Sequence, residues 1–391
     1  MLFALVGMML AASVNNLLML FLTMEMVAVP FYVLTAYQRS RGMALEAGAK
    51  YLIMAGLSAA FMVMGIAFIY GISGTLALDE LAKFKPVQDQ LGMWVVGIIF
   101  VVCSLGFKIS AFPFQYWAPD VYQGSPATTT GLLASASKAV GFVLLVRFAA
   151  AVMPLGTRDC TFFWCLLSGA SIIYGNLCAI SQRDIKRLIA YSGVANAGYM
   201  MMAFAVGDSM AFSSMFYYLI AYTFTILGAF LAISVVETEL ERSDAEGVNG
   251  LDMDVLASLP RRSPFAGFLL AASMASLAGI PPMAGFVGKF LLLKSVFIQG
   301  LQDRTALLVL AFIALFGVIV SIYYYFGVIR AIYWAPPHTE RQAMGERIPN
   351  RSVLWIVGCI ALVMMVLPGV YPGVFLNGTD WMADALQAFL K

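Results

Sequence analysis

The chain has 391 residues, of which 62% are hydrophobic and only 11% are charged, and its formal net charge is +2. A soluble domain carries about 25% charged residues, so this chain has too few charged residues to form the surface of a soluble protein. The small net charge and the lack of a basic cluster exclude nucleic acid as an expected partner. The five cysteines lie in or beside apolar runs and do not have metal-ligand spacing, so we expect no metal site.

Apolar runs of about 18 residues or more recur along the chain, and each is long enough to cross the hydrocarbon layer of a lipid bilayer. Because that layer holds no water, each run must satisfy its own backbone polar groups as a helix. The sequence therefore predicts an all-α polytopic membrane protein with about eleven crossings, the first of them partial. The expected crossings are 1–12, 15–37, 43–72, 92–123, 126–153, 161–180, 184–206, 209–236, 264–300, 305–332 and 352–371.

Two crossings are longer than one straight helix needs, and both carry proline in the middle. Pro113 lies in the fourth segment, and Pro281 and Pro282 lie in the ninth. Proline removes a backbone donor and breaks a helix. Non-helical backbone at membrane depth is tolerated where it is buried or lines a water-filled cavity. Paired broken helices therefore indicate an ion path.

A weak internal repeat links the same two halves of the chain. Residues 49–53 resemble residues 216–220, and the two broken segments lie five crossings apart. Because the copies are separated by an odd number of crossings, the second copy has the opposite orientation in the membrane. We therefore predict two inverted five-helix repeats, each with a broken helix. We expect the halves at 1–153 and 161–332. Residues 333–391 are expected to form a cytoplasmic loop, a last crossing and an interfacial amphipathic helix.

Lysine and arginine counts in alternate loops predict the orientation, because cytoplasmic loops carry the excess. One side collects Arg39, Arg41, Arg183, Lys186, Arg187, Arg242, Arg261, Arg262, Arg330, Arg341, Arg347 and Arg351. The other side has Lys83, Lys85, Arg158, Arg304 and Lys391. We therefore place the first set in the cytoplasm and the C-terminus outside.

Few charges lie within the apolar runs, and most of them are lysines. They are Lys50, Lys108, Lys138 and Lys289, with Glu25 as the clearly intramembrane carboxylate. A lysine at the bilayer centre costs about 2.5–3.5 kcal/mol even on lenient scales. One glutamate cannot neutralise four ammonium groups, and burial with mutual repulsion favours the neutral amine. Because a neutral amine can be recharged, these residues predict a path for protons.

Several charges also have structural interpretations. The side chains of Lys50 and Lys294 could reach the membrane surface instead of staying buried. Asp120 is expected to cap the helix that starts near Pro126 or to close the turn before it. Glu46 is expected in a first helical turn, where the helix dipole favours an acid.

Four stretches around these charges resemble subunit N of bacterial NADH–quinone oxidoreductase, the respiratory complex I. The resemblance extends over essentially the whole chain, and lysine followed by phenylalanine at Lys289 is typical of subunit N. The stretches are 107–126, 134–142, 183–192 and 279–290.

The resemblance implies roles for the buried charges. Glu25 would pair with Lys108 on a broken helix, Lys138 would lie on the central axis, and Lys289 would be the terminal lysine of the second broken helix. Lys50 matches a lysine of the preceding family helix. The family has fourteen crossings, so we expect the first three to be missing here, through truncation or an incomplete sequence.

The resemblance also implies the reaction, the membrane and the partner subunits with which the chain works. Quinone reduction in other subunits would drive protons from the cytoplasm to the outside across the bacterial inner membrane. The partners would be the other membrane-arm subunits, which with the rest of the complex hold NADH, flavin, iron–sulfur clusters and quinone, and this chain would bind no cofactor or metal. The chain would thus be a subunit of a proton-translocating enzyme without redox chemistry of its own.

This chain departs from the family pattern at two positions. Gln115 and Asn196 stand where many relatives have histidine, and neither amide titrates near neutral pH. Two other interpretations remain open. One is a subunit of a multi-subunit sodium/proton antiporter or a membrane-bound hydrogenase, and the other is a scaffold subunit that conducts nothing.

Overall fold

The computed structural model describes residues 1–242, 251–257, 259–302, 304–336 and 352–390. Within these ranges the chain is helical and has no β-strand beyond two isolated bridges. The prediction of an all-α polytopic membrane protein is confirmed. Four charges used for the orientation lie outside the described residues, namely Arg341, Arg347, Arg351 and Lys391.

The first half of the chain contains a broken helix and an interrupted one. Helix α5 (Leu91–Ile109) ends before the first predicted break and α6 (Trp117–Gly124) follows it. Helices α7 (Ala127–Leu132) and α8 (Lys138–Val152) are joined through a five-residue π-helical turn, Leu133–Ser137. The helices are α1 (Leu2–Ala12), α2 (Leu17–Thr35), α3 (Gly42–Ser73), α4 (Leu78–Leu81), α5 (Leu91–Ile109), α6 (Trp117–Gly124), α7 (Ala127–Leu132) and α8 (Lys138–Val152).

The second half begins with three long helices and contains the second break. Its central helix is α10 (Ile185–Val206), whose residues are almost all buried by the rest of the protein. The helices are α9 (Arg158–Ile180), α10 (Ile185–Val206), α11 (Ser209–Arg242), α12 (Leu259–Arg262), α13 (Pro264–Ala278), α14 (Ala284–Gly300), α15 (Thr305–Trp334), α16 (Ser352–Val370) and α17 (Pro372–Leu390).

Eight helices in the described ranges are long and apolar enough to cross a membrane, or nine if a bent pair counts as one span. The expected number of eleven is therefore not confirmed. The difference lies at α1 and α13, which are apolar but shorter than a full crossing. The bent pair is α16 with α17, which meet at 91°. A sharp bend suits a helix that turns along the membrane surface, and the interfacial position of α17 stays a prediction.

Both predicted breaks lie at the prolines and have the same local design. Helix α5 is followed by Ser110 in the left-handed conformation, with φ of 59°, and α13 is followed by Gly279 with φ of 82°. A left-handed residue is a common way to end a helix. Three residues beyond it, Pro113 and Pro282 prevent the helix from resuming at once. The inverted relation of the two halves stays a prediction.

Candidate functional site: buried lysines beside the helix breaks

Three of the five charges singled out in the sequence are almost completely buried lysines. Lys108 on α5, Lys138 on α8 and Lys289 on α14 have exposed fractions of 5%, 2% and 3%. Among the described residues, no carboxylate lies within 4.0 Å of any of their ammonium groups. A buried charge without a counter-charge is costly, so the three lysines need backbone oxygens, water or loss of a proton.

Lys289 is bound to the helix break itself. Its ammonium donates to the carbonyl oxygen of Leu277, at 2.5 Å. In an α-helix that carbonyl would accept from the residue four positions later, which is Pro281 and has no N–H. The ammonium also lies 5.1 Å from the ring centroid of Tyr199. The proline therefore leaves this carbonyl without a backbone donor, and the lysine binds it.

Lys138 follows directly after the π-helical turn between α7 and α8. Its ammonium donates to the carbonyl oxygen of Gly193 on α10, at 3.0 Å, and lies 5.6 Å from the ring centroid of Tyr222. Helical π turns occur often at functional sites. This turn could not be predicted from local sequence, because it contains neither proline nor glycine.

Lys108 and Glu25 interact electrostatically without a direct contact. The ammonium of Lys108 has no hydrogen-bond partner among the described residues, and Glu25 on α2 is half-buried. The carboxylate is nevertheless near enough for its charge to act on Lys108. The structure therefore places the two residues in range of each other, and their pairing stays a prediction.

Lys50 lies apart from the three buried lysines, in a charged cluster that reaches the protein surface. Its side chain is 44% exposed, and its ammonium lies 2.7 Å from carboxylate oxygens of both Glu46 and Asp120. Asp120 also accepts from Arg187, at 2.7 Å. This cluster borders a cavity of about 170 Å³ that is lined by Met43, Glu46, Ala47, Lys50, Asp120, Gln123 and Arg187.

Two expectations about these acids were wrong. Asp120 does not cap the helix near Pro126, because its carboxylate is held by Lys50 and Arg187. Glu46 is the fifth residue of α3, beyond the first turn, and it pairs with Lys50 four residues later.

The buried carboxylate of Glu237 was missed in the sequence. It accepts from the ammonium of Lys186 at 2.7 Å and from the backbone N–H of Ala127 at 2.7 Å. Lys186, which we had counted as a loop charge, is buried and also donates to the carbonyl of Ser125 at 2.8 Å. The predicted crossing ended at residue 236, one position short of this acid, although α11 continues to Arg242.

Arg147 was also missed. It could have been predicted from the sequence, because it is a charged residue inside an apolar run. It lies within α8, nine residues beyond Lys138. Its guanidinium donates to the carbonyl oxygen of Val14, before α2. Arg147 therefore ties α8 to the first helical pair.

The two amides, Gln115 and Asn196, that we expected to depart from the family pattern are both buried. Asn196 accepts from the hydroxyl of Tyr218 at 2.8 Å and donates to that of Tyr325 at 3.3 Å. Gln115 is fully buried in the break after α5. Among the described residues, no group of three or more His, Cys, Asp and Glu side chains could hold a metal ion.

Comparison with known proteins defines the class to which this fold and its lysines belong. The family described as "NADH:quinone oxidoreductase/Mrp antiporter, TM" matches residues 14–319. This range contains Glu25, Lys108, Lys138 and Lys289. The chain belongs to this family of antiporter-like membrane subunits.

Within the family, the chain is similar to subunit N. NADH-quinone oxidoreductase subunit N of Heliobacterium modesticaldum is 34% identical over 372 residues, which cover 95% of this chain and 74% of the relative. F(420)H(2) dehydrogenase subunit N of Methanosarcina mazei is 33% identical over 368 residues, which cover 94% and 73%. The resemblance to subunit N is confirmed.

Solved structures show the same fold. A chain of respiratory complex I from Thermus thermophilus has a TM-score of 0.79 at 32% identity, with 96% of this chain and 78% of that chain covered. A chain of the Mrp complex from Dietzia sp. DQ12-45-1b has a TM-score of 0.85 at 20% identity, with 100% and 79% covered. The second likeness concerns the fold alone.

Proposed function

We propose that this chain is a proton-translocating membrane-arm subunit of an NADH–quinone oxidoreductase. Lys108, Lys138 and Lys289 carry protons in turn, and quinone reduction in other subunits supplies the driving force. The observation that supports this function is the burial of three lysines that have no described carboxylate in contact. Because burial without a counter-charge disfavours the charged form, such an ammonium group can release its proton, and the neutral amine can take one up again.

The groups around each lysine allow it to release its proton as well as to hold it. Lys289 and Lys138 each touch a backbone carbonyl, which accepts a hydrogen bond from either form of the amine because both retain N–H groups. Each side chain therefore stays in place when its proton leaves. Lys108 is biased by the nearby charge of Glu25, so a change at Glu25 alters the protonation of Lys108.

The remaining parts of the proposal are the direction of proton movement and the partner subunits. Lys50 lies at the end of the protein that the charge bias places in the cytoplasm, where it exchanges protons with the surface through Glu46 and Asp120. Protons move from there to the outside, which is also the side of the C-terminus. Other membrane-arm subunits in the bacterial inner membrane are the partners, and NADH, flavin, iron–sulfur clusters and quinone are bound outside this chain.

Replacement of the buried lysines tests this function. Lys138→Met and Lys289→Met keep the apolar length of the side chain and remove the exchangeable proton. We expect the complex to assemble while the number of protons pumped per NADH oxidised falls. Lys294→Met is the matched control, because Lys294 lies on the same helix α14 with an exposed side chain, and it should pump at the wild-type level.

The measurement is proton uptake and NADH oxidation in membranes that hold equal amounts of assembled complex. Wild-type pumping in both Lys138→Met and Lys289→Met would contradict the proposal and favour a scaffold that conducts nothing.

A further inference from the structure

We propose that Gly369, in the last turn of α16, is a positioning residue for Lys289. Because glycine has no side chain, the end of α16 lies directly against the second helix break and holds the two helices on either side of it in place. Gly369 acts through the backbone of the break. This inference rests on the proposed function, in which Lys289 carries protons.

The hydrogen bond that needs positioning joins two separate helices. Lys289 lies on α14, and the Leu277 carbonyl to which it donates at 2.5 Å lies on α13. The five residues between these helices, 279–283, are not helical. A continuous helix would fix the distance between the two residues, but here the distance depends on how α13 and α14 are held beside each other.

The start of α14 lies in close contact with the end of α16. A Cβ atom on Gly369 would overlap the carbonyl oxygen of Pro282. It would also lie 2.6 Å from the carbonyl carbon of Met283 and 2.8 Å from the amide nitrogen of Ala284. These are backbone atoms, which cannot rotate away as a side chain can. Any larger residue at position 369 would therefore push the start of α14 away from α16.

Helix α16 also contacts the helix on the other side of the break. Met365 lies one turn before Gly369 and is fully buried. Its sulfur is 3.9 Å from the hydroxyl of Ser273 on α13. Two successive turns of α16 thus contact α13 and α14 in turn, so this one helix spans the break.

The end of α16 is itself held by α11. In a continuing helix the carbonyl of Pro368 would accept from the residue four positions later, which is Pro372 and has no N–H. The hydroxyl of Tyr217 on α11 donates to this carbonyl instead, at 2.7 Å. The Leu277 carbonyl is bound in the same way, by a side chain where a proline removes the backbone donor. The bond from Tyr217 therefore fixes α16 just before the 91° bend into α17.

Two substitutions, each with a matched control, test the positioning role. In Gly369→Ala, the number of protons pumped per NADH should fall to the level of Lys289→Met. In Tyr217→Phe it should fall less, because α16 loses one hydrogen bond and gains no volume. The controls are Gly373→Ala on α17, where an added Cβ meets no atom within 4 Å, and Tyr323→Phe on α15, whose side chain is exposed. Both controls should pump at the wild-type level.

The pH dependence of pumping separates positioning from mere packing. Displacement of the Leu277 carbonyl changes the balance between the charged and the neutral amine of Lys289. We therefore expect the pH of half-maximal pumping per NADH to shift by about one unit in Gly369→Ala, the effect of one hydrogen bond to a charged group. Tyr199, whose ring faces the ammonium, is unchanged in this variant. The profile of Gly373→Ala should match the wild type.

All variants are compared at equal amounts of assembled complex. Because Tyr217→Phe adds no atom, it provides the test even where Gly369→Ala prevents assembly. Pumping that falls without a shift along the pH axis would mean that these residues only pack, and it would overturn the positioning role. Wild-type pumping in both variants would also overturn it, while loss of pumping in Lys289→Met would leave the proposed function standing. Normal pumping in the lysine variants would instead refute the proposed function itself.

Discussion

At the scale of single residues, Lys289 binds the Leu277 carbonyl that Pro281 leaves without a backbone donor. An arginine at this position keeps the charge and the donors that reach Leu277, but it cannot release its proton at any accessible pH. We therefore expect Lys289→Arg to assemble and to slow proton transfer through this site by about 100-fold or more, the usual contribution of a positioned proton donor. The measurement is the initial rate of proton pumping at equal NADH oxidation.

The result at Lys289→Arg distinguishes a proton carrier from a fixed charge. Wild-type pumping with arginine would mean that a permanent positive charge suffices at this position. The same substitution at exposed Lys294 on α14 is the control for the effect of a larger side chain, and it should change nothing.

The identity of the buried lysines could be predicted from the sequence, but their contacts could not. Lys108, Lys138 and Lys289 each interrupt an apolar run, so their burial follows from local sequence and the cost of a charge in the membrane. The partner of Lys138 is a backbone carbonyl that no residue pattern marks. The prolines of the second break mark the carbonyl that Lys289 binds as free, but they do not show which side chain binds it. Lys50 also interrupts an apolar run, yet it lies near the start of α3, where its side chain reaches the surface acids Glu46 and Asp120.

At the scale of helices, the start of α7 is held by a carboxylate 110 residues away in sequence. Glu237 accepts from the N–H of Ala127 and from buried Lys186, so it joins α7, α10 and α11 at one end of the protein. A helix N-terminus favours an anion, and local sequence pointed to Asp120 as the candidate. The breaks at Pro113 and Pro282 were predictable because proline acts locally, whereas this contact between distant segments was not.

Glu237→Gln should therefore destabilise the protein far more than loss of an exposed acid does. Removal of one partner from a buried ion pair costs about 3–5 kcal/mol, because the other charge stays buried. Glu46→Gln is the control, since its side chain is 61% exposed and an exposed pair contributes at most about 1 kcal/mol. We expect a much lower thermal inactivation temperature for Glu237→Gln in detergent-extracted complex. Equal temperatures for the two variants would contradict the stabilising role of the buried pair.

At the scale of the whole molecule, the described structure brings positive charges to one end. Lys186 and Arg262 do not belong in a count of loop charges, because both are buried, Lys186 against Glu237 and Arg262 against Glu239. Without them the count is ten against five, so the bias still predicts that this end lies in the cytoplasm. The orientation depends on loops at both ends of long helices, and α3 offers the clearest test.

Helix α3 has 32 residues and is about 48 Å long at 1.5 Å per residue, enough to put its two ends on opposite sides of a membrane. Arg39 precedes it and Lys83 follows the short helix after it, and both side chains are exposed. In a background without the native cysteines, we expect Lys83→Cys to react with a membrane-impermeant maleimide in intact cells. Arg39→Cys should react only after the membrane is permeabilised, because cytoplasmic loops carry the excess of lysine and arginine. The reverse labelling pattern would mean that the protein has the opposite orientation in the membrane. The proposed direction of proton movement would then be wrong as well.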